Sequence, residues 1–306
     1  MAGFVKAKRE QVWVKAILVG PSGSGKSVGA LRVGSGLAKK CGSRVAYIGT
    51  EGSRDLYYAS TYDYDLLQIE DPQTPEKYIE AIDAAVEAGY KVCIIDSLSH
   101  EWKTINDIHS KMPGNSFTNW APLKARHRAM IEKILYSPIH IIATARGKDT
   151  WVLEEKNGKQ VPKKVGLGAE QSREISYEYT VSLVIDQSSH IATADKDNTG
   201  LFDGRYEMLT EKHGEELYNW ANSSDIPATL REPKKYDPAE VAPEDQLASI
   251  KKEIITLCTE LGGTKNGQLM ETLKKFTKSG NPNAIREVSA ATECLAAIKG
   301  VKPLAV

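Results

Sequence analysis

The chain has 306 residues, 40 Lys+Arg against 40 Asp+Glu, and 41% hydrophobic and 7% aromatic residues. A formal charge of zero excludes a uniformly basic nucleic-acid coat but leaves room for a local basic groove. No apolar run approaches the roughly 18 to 20 residues that cross a bilayer, and the start, Met-Ala-Gly-Phe-Val-Lys-Ala-Lys-Arg-Glu, lacks a signal-peptide core, so a cytoplasmic protein without membrane contact is expected.

Apolar runs predict strands over 12–19, 44–49, 66–69, 91–95, 139–144, 180–186 and 190–195. Amphipathic helical stretches separate most of them, the pattern of a mostly parallel sheet wrapped by helices. Directly after the first strand comes Gly20-Pro21-Ser22-Gly23-Ser24-Gly25-Lys26-Ser27, followed by a helical run from Val28 to Lys39. This fits G-x-x-x-x-G-K-[ST] in the strand-to-helix context the motif requires. The glycines let backbone N–H groups converge on a phosphate, Lys26 reaches the β and γ oxygens of ATP, and the Ser27 hydroxyl is the expected Mg²⁺ ligand. Gly34 and Gly36, inside that helical run, are expected to mark close packing rather than a second phosphate loop.

The run Val92-Cys93-Ile94-Ile95-Asp96 is apolar on both faces and ends in a carboxylate, so Asp96 is the expected second metal residue. Ser97 rather than Glu follows it, so a water-positioning carboxylate has to come from elsewhere. Glu51, just past the strand 44–49, opens onto the same crevice in a doubly wound sheet. The alternative for Glu51 is a solvated acid at a strand end. His100-Glu101 looks like the opening of H-E-x-x-H, but Thr104 stands where the second histidine would be, so no zinc site is expected. Packed rather than catalytic roles are expected of His109, His127 and His140. Cys41, Cys93, Cys258 and Cys294 show no C-x-x-C spacing, and free thiols are expected.

Asn157-Gly158 favours a two-residue turn, so 151–165 is expected to form a hairpin. Residues 146–173 carry Arg146, Lys148, Lys156, Lys159, Lys163, Lys164 and Arg173 with Trp151 among them, a composition suited to tracking a single strand of nucleic acid. A second such group is Trp120, Lys124, Arg126 and Arg128, and a solvated face accounts for either group equally well. From 222 to 243 four prolines, Pro227, Pro233, Pro238 and Pro243, interrupt a polar linker. After it three apolar stripes predict a small helical module: Leu247 to Leu261, then Leu269, Leu273 and Phe276, then Ile285, Val288, Thr292, Leu295 and Ile298. Residues 1–221 are thus expected to form an ATPase domain, 222–243 a linker, and 244–306 a helical C-terminal domain.

The order of phosphate loop, Glu51 strand and Asp96 strand resembles the RecA-like core of P-loop ATPases. Asp96-Ser-Leu-Ser-His-Glu-Trp102, Asn115-Ser-Phe117 with Trp120, Ile141-Ile-Ala-Thr144-Ala-Arg146 and Ala194-Asp-Lys196-Asp-Asn-Thr199 extend the likeness to phage AAA-family and RecA-like ATPases of single-strand annealing and recombination. The resemblance covers roughly 12–221. It implies ATP and Mg²⁺, single-stranded DNA, a homo-oligomeric ring or filament with ATP between protomers, a single-strand binding protein as partner, and a host-cell cytoplasmic setting. By resemblance Glu51 is the catalytic base, and Asp55 and Tyr58 contact adenine. Thr144 senses the γ-phosphate, and Arg146 opens a loop that faces DNA. Lys196 reaches a neighbouring subunit's ATP, although Asn198 stands where the family carries a second basic residue. For Tyr58 helix packing, and for Lys196 a surface turn, are the alternatives. A P-loop small-molecule kinase and a nucleotide-gated assembly protein without a DNA role are the competing classes.

Overall fold

The computed structural model describes residues 3–112, 116–156, 159–172, 175–230 and 243–301. They form two compact units, Met1–Ser110 with His127–Lys234, and Lys111–Arg126 with Lys235–Val306.

The first unit is built on β1 (Lys15–Gly20), α1 (Lys26–Cys41), β2 (Val45–Gly49), β3 (Tyr64–Gln68), α2 (Pro75–Glu87), β4 (Val92–Asp96), α3 (Ser99–Lys111) up to Ser110, and α4 (Ser116–Tyr136) from His127 on, the first part of α4 being counted with the second unit. It continues through β5 (His140–Lys156), β6 (Lys159–Ala169), α5 (Ile175–Glu178), β7 (Val181–Ile185), β8 (Ala192–Asp197) and α6 (Glu211–Ala221). The sheet order is β3-β2-β4-β5-β1-β7-β8, with β6 paired to β5. Strands β3 through β7 in that order are parallel, whereas β8 and β6 run antiparallel to their partners.

Alternation along each strand feeds two separate cores, as the period of two requires. Ala16 and Leu18 of β1, Val45 and Tyr47 of β2 and Ile94 of β4 join the face covered by α1 and α6. Ile17, Val19, Ala46, Ile48, Cys93 and Ile95 join the face covered by α2 and α4. Gly34 and Gly36 mark close packing: a Cβ on Gly34 would press into Ile94, and one on Gly36 would overlap the Glu211 backbone of α6.

Each expected strand is present, but β5 runs past residue 144 to Lys156 as one strand and pairs with β6 from Gly147↔Ala169 to Lys156↔Lys159, with an irregularity between Thr150 and Trp151. The expected hairpin is thus an extension of the central sheet, and its turn at Asn157-Gly158 lies outside the described residues. The first part of the proline-containing stretch is held to the chain's early residues: the Gln11 N–H donates to the Ile226 carbonyl at 2.8 Å, and Thr229 Oγ1 donates to Glu10 at 2.7 Å. Pro233 and Pro238 lie outside the described residues, and Pro243 opens α7.

In the second unit α7 (Pro243–Glu260), α8 (Gly267–Phe276) and α9 (Val288–Lys299) enclose Ile254, Leu269, Leu273, Ala291, Cys294 and Ile298. Asn266 caps α8 by accepting the Leu269 N–H at 3.2 Å. The third stripe is phased differently from expectation: Thr292 is exposed while Ala291 and Cys294 are buried. Ile285 and Ile298 of the expected stripe are buried, and Leu295 packs against the same core. Among the described residues no helix is long and apolar enough to cross a membrane.

Candidate active site

The loop between β1 and α1 turns on two glycines that use positive φ, Gly23 at 80° and Gly25 at 90°. Gly20 has no space for a Cβ, because Ser24 Oγ folds back over it and the Ile185 carbonyl stands beside it. Lys26 Nζ donates to the Pro21 carbonyl at 2.8 Å, so the ammonium rests on its own loop. Two side chains from the loop after β7 brace this turn from outside. Gln187 Nε2 donates to the Ser22 carbonyl at 2.9 Å, and His190 Nδ1 lies 3.0 Å from the Ser24 carbonyl, which assigns the ring proton to Nδ1. His190 holds φ +57°, a left-handed backbone that costs on the order of 1 kcal/mol in a non-glycine residue.

Because β5 lies between β1 and β4, the carboxyl ends of β1, β2, β4 and β5 open on one crevice. Asp96 ends β4 there and is buried. Its carboxylate accepts Tyr47 Oη at 2.7 Å and the hydroxyl of Thr144 on β5. Burial, and then the Asp96 charge, hold the Tyr47 hydroxyl far above its ordinary range.

Glu51 follows β2 at the same edge. Its carboxylate lies 3.2 Å from Arg146 Nη2 and 3.6 Å from Arg54 Nη1. Arg146 Nη2 also reaches His100 Nε2 at 2.8 Å, and His100 Nδ1 is 2.6 Å from Thr50 Oγ1. Thr50 Oγ1 in turn accepts the Ser97 N–H at 2.9 Å. A guanidinium only donates, so His100 Nε2 is the acceptor and Nδ1 carries the proton toward Thr50. Burial and then the Arg146 cation lower the His100 pKa, which keeps this neutral tautomer. Burial also lowers the Lys26 pKa, and the charges of Asp96 and Glu51 oppose that effect.

The two residues expected at adenine both pack against the protein. Asp55 is 3% exposed, sits against Gly49 and accepts the Glu51 N–H at 3.2 Å, and burial raises its pKa to about 6. It therefore braces the segment that carries Glu51 and offers no acceptor at the surface. Tyr58 is half-buried against the core that α1 covers, the packing alternative. Neither residue lines the cavity of about 270 Å³ beside the start of α1, which Gly25, Val28, Arg32, His190, Met208 and Leu209 enclose.

Arg146, expected in a DNA-facing loop, stands instead in the Glu51 network. Lys148 is exposed and borders a cleft of about 980 Å³ with Pro21, Gly147, Asp186, Gln187 and Tyr206. Lys163 and Lys164 occupy β6 opposite Val152 and Trp151; their side chains, and Arg173, lie outside the described residues. Lys196 pairs with Ser182 near the start of β7, at the edge of the sheet away from the phosphate loop, and its Nζ donates to the Tyr179 carbonyl at 2.7 Å.

Sequence reasoning missed His100, Thr50, Tyr47, Gln187 and His190. The available signal for His100 was its place at the head of α3, four residues after Asp96; only the absent zinc motif had been weighed. Its neighbour Glu101 points elsewhere, fully buried 3.1 Å from His127 Nδ1 and 3.1 Å from Gln171 Nε2.

The donor set fits Mg·ATP. The Ser27 hydroxyl and the Asp96 carboxylate are hard oxygen donors of the kind Mg²⁺ takes alongside phosphates, and glycine-turned N–H groups with Lys26 suit the phosphates themselves. Among the described residues no cluster of three or more His, Cys, Asp or Glu side chains forms a protein-only metal cage.

A protein-family description, AAA domain, matches residues 13–225. No curated protein matches by sequence. Among solved structures, a KaiC-like protein from the archaeon Pyrococcus horikoshii OT3 aligns at 15% identity over 64% of this chain and 82% of that chain, with a TM-score of 0.40.

Proposed function

The chain belongs to the AAA domain family, and from that premise we propose that it is a RecA-like P-loop ATPase that couples hydrolysis of Mg·ATP to single-stranded DNA in phage-type recombination or annealing. The observation that carries the ATPase reading is the convergence of Lys26, Glu51, Asp96 and Thr144 at one edge of the sheet, drawn from four strand ends. Lys26 compensates the β and γ oxygens, and the loop N–H groups and the α1 N-terminus hold the phosphates. Ser27 and Asp96 would hold Mg²⁺, which when bound neutralises charge developing on the transferred phosphoryl group. Glu51 accepts a proton from, and so orients, the attacking water. Thr144 keeps Asp96 in place.

Support for the DNA arm is compositional and topological. The β5–β6 extension leaves the sheet at Arg146, directly beside the phosphate loop, and carries Lys148, Lys156, Lys159, Lys163 and Lys164. Nucleotide state thus has a short mechanical route to a basic ribbon. Assembly into a ring or filament, with Lys196 acting on a neighbour's ATP, rests on its position away from its own loop. A single-strand binding protein is the accompanying partner in this reading.

The test is ATP hydrolysis with and without single-stranded DNA. Stimulation by DNA supports the full reading. Hydrolysis indifferent to DNA removes the DNA arm, and phosphate transfer to a metabolite replaces hydrolysis with kinase chemistry.

A further inference from the structure

Arg146 is the register partner of Gly20, the first residue of the phosphate loop, on the strand directly next to it. Neighbouring strands lie about 4.8 Å apart, so this cation belongs to its own subunit's nucleotide site. Its backbone is fixed on both sides: the N–H donates to Ser99 Oγ at 2.8 Å, and the carbonyl accepts the Glu170 N–H at 2.6 Å. Only the side chain is left to move, and that side chain is 42% exposed.

In the present arrangement the guanidinium bridges two acceptors of unequal strength, the Glu51 carboxylate at 3.2 Å and the neutral His100 imidazole at 2.8 Å. Lys26, Asp96, Glu51 and Arg146 lie close enough for the Lys26 ammonium to feel all three of the others. The Glu51 carboxylate that has to orient water is therefore engaged by a cation. A terminal phosphate carries more charge than a carboxylate and presents oxygens that suit a guanidinium fork. His100, held through Thr50 to the Asp96–Ser97 backbone, remains as the fixed acceptor on either side of that exchange.

We propose that Arg146 is a γ-phosphate-binding residue acting in cis: it clasps Glu51 in the nucleotide-free site and transfers to the terminal phosphate of bound ATP, which frees Glu51 to hold water. His100 is the positioning residue that keeps the guanidinium within reach of both. The inference rests on the ATP-site reading above and deepens it. No bond is made or broken in the exchange.

Equilibrium binding of ATP and ADP at neutral pH separates the two claims, because it needs no turnover. Arg146→Ala should weaken ATP by about 10-fold or more, the scale of one hydrogen bond to a charged group, while ADP changes by less than about 3-fold. Arg146→Lys should recover part of the ATP affinity. Glu51→Gln should tighten ATP several-fold and leave ADP unchanged, since it releases the clasp, and Arg146→Ala in that background should cancel the gain. His100→Ala should lower discrimination between ATP and ADP by less than Arg146→Ala does. Equal effects of Arg146→Ala on ATP and ADP, or no effect on either, would overturn the clasp. Failure of the unaltered protein to bind either nucleotide would instead overturn the ATP site itself.

Discussion

Two lysines stand at opposite ends of β1, and the protein treats them oppositely. Lys15, at the amino end, is 4% exposed, and its Nζ donates to the carbonyls of Ser137 and Ile139 at 2.7 and 2.5 Å. No carboxylate offsets its burial, and its pKa is lowered to about 7. Lys26, just past the carboxyl end, is also lowered by burial, but Asp96 and Glu51 oppose the shift. Burial alone discharges an amine; burial beside carboxylates keeps a cation in a site where water is scarce. The amino edge of the sheet is thus closed with neutral hydrogen bonds, and the carboxyl edge keeps its charges for a ligand.

Replacing each lysine breaks the comparison most directly. Lys26→Ala should abolish ATP binding or turnover, because Arg146 reaches only the terminal phosphate and leaves the β oxygens uncompensated, whereas Lys15→Met should retain ATPase activity within about 3-fold, both read by phosphate release from purified protein. Removing a carboxylate sharpens it: Glu51→Gln should keep ATP binding and lose roughly 10²-fold in hydrolysis, the scale of a general base. The same change deprives Lys26 of a charge that raises its pKa, so the loss of ATP affinity as pH rises should begin at lower pH than in the unaltered protein. Normal hydrolysis by Glu51→Gln would place the catalytic base elsewhere.

A third lysine tests whether the amino edge is functional across a boundary. Lys196 also donates to a backbone carbonyl, and it lies too far along β8 to serve its own loop. Mixing inactive Lys26→Ala with inactive Lys196→Ala protein should restore partial ATPase activity if it serves a neighbour's. No recovery under conditions where subunits exchange would make Lys196 a fold residue like Lys15.

For the basic ribbon, affinity for single strands should fall with salt at a slope of roughly −0.7 per phosphate neutralised, and replacing Lys163 and Lys164 by Ala should flatten the slope by about one to two. An unchanged slope would move the DNA path away from β6. The smallest effect expected is in stability. Lys15 has a folded pKa of about 7 and an ordinary value of 10.5. Between these values only the unfolded chain holds the proton, so stability rises with pH through that window and levels off outside it. Urea midpoints at pH 7 and pH 9.5 should differ more in the unaltered protein than in Lys15→Met, by on the order of 1 kcal/mol or more.

Much of the fold was legible because it obeys local rules. Apolar runs, the glycine-rich turn and the acid at the end of β4 each declare themselves within ten residues, and every expected strand is present. The continuation of β5 was not legible. Arg146-Gly-Lys-Asp149 reads as loop by composition and becomes strand only because β6 supplies the ladder. The packing of Asp55 and Tyr58 was hidden for a related reason: the turn after β2 rotates one inward toward the Glu51 amide and the other against the core.

By itself the sequence determined a phosphate loop between strand and helix, a mostly parallel sheet with two buried faces, an acid at the end of β4, and helices at the C-terminal end. Periodicity and glycine spacing are properties of neighbours along the chain, so they survive in one dimension. The tertiary structure decided which charges meet. Glu51 and Arg146 are 95 residues apart, and Thr50 and His100 are 50 apart. Those pairs exist because β2, β4 and β5 are adjacent in the sheet order rather than in the chain. An arginine that reads as the start of a DNA loop therefore lies against the Glu51 carboxylate, since strand adjacency fixes distances that residue spacing leaves open.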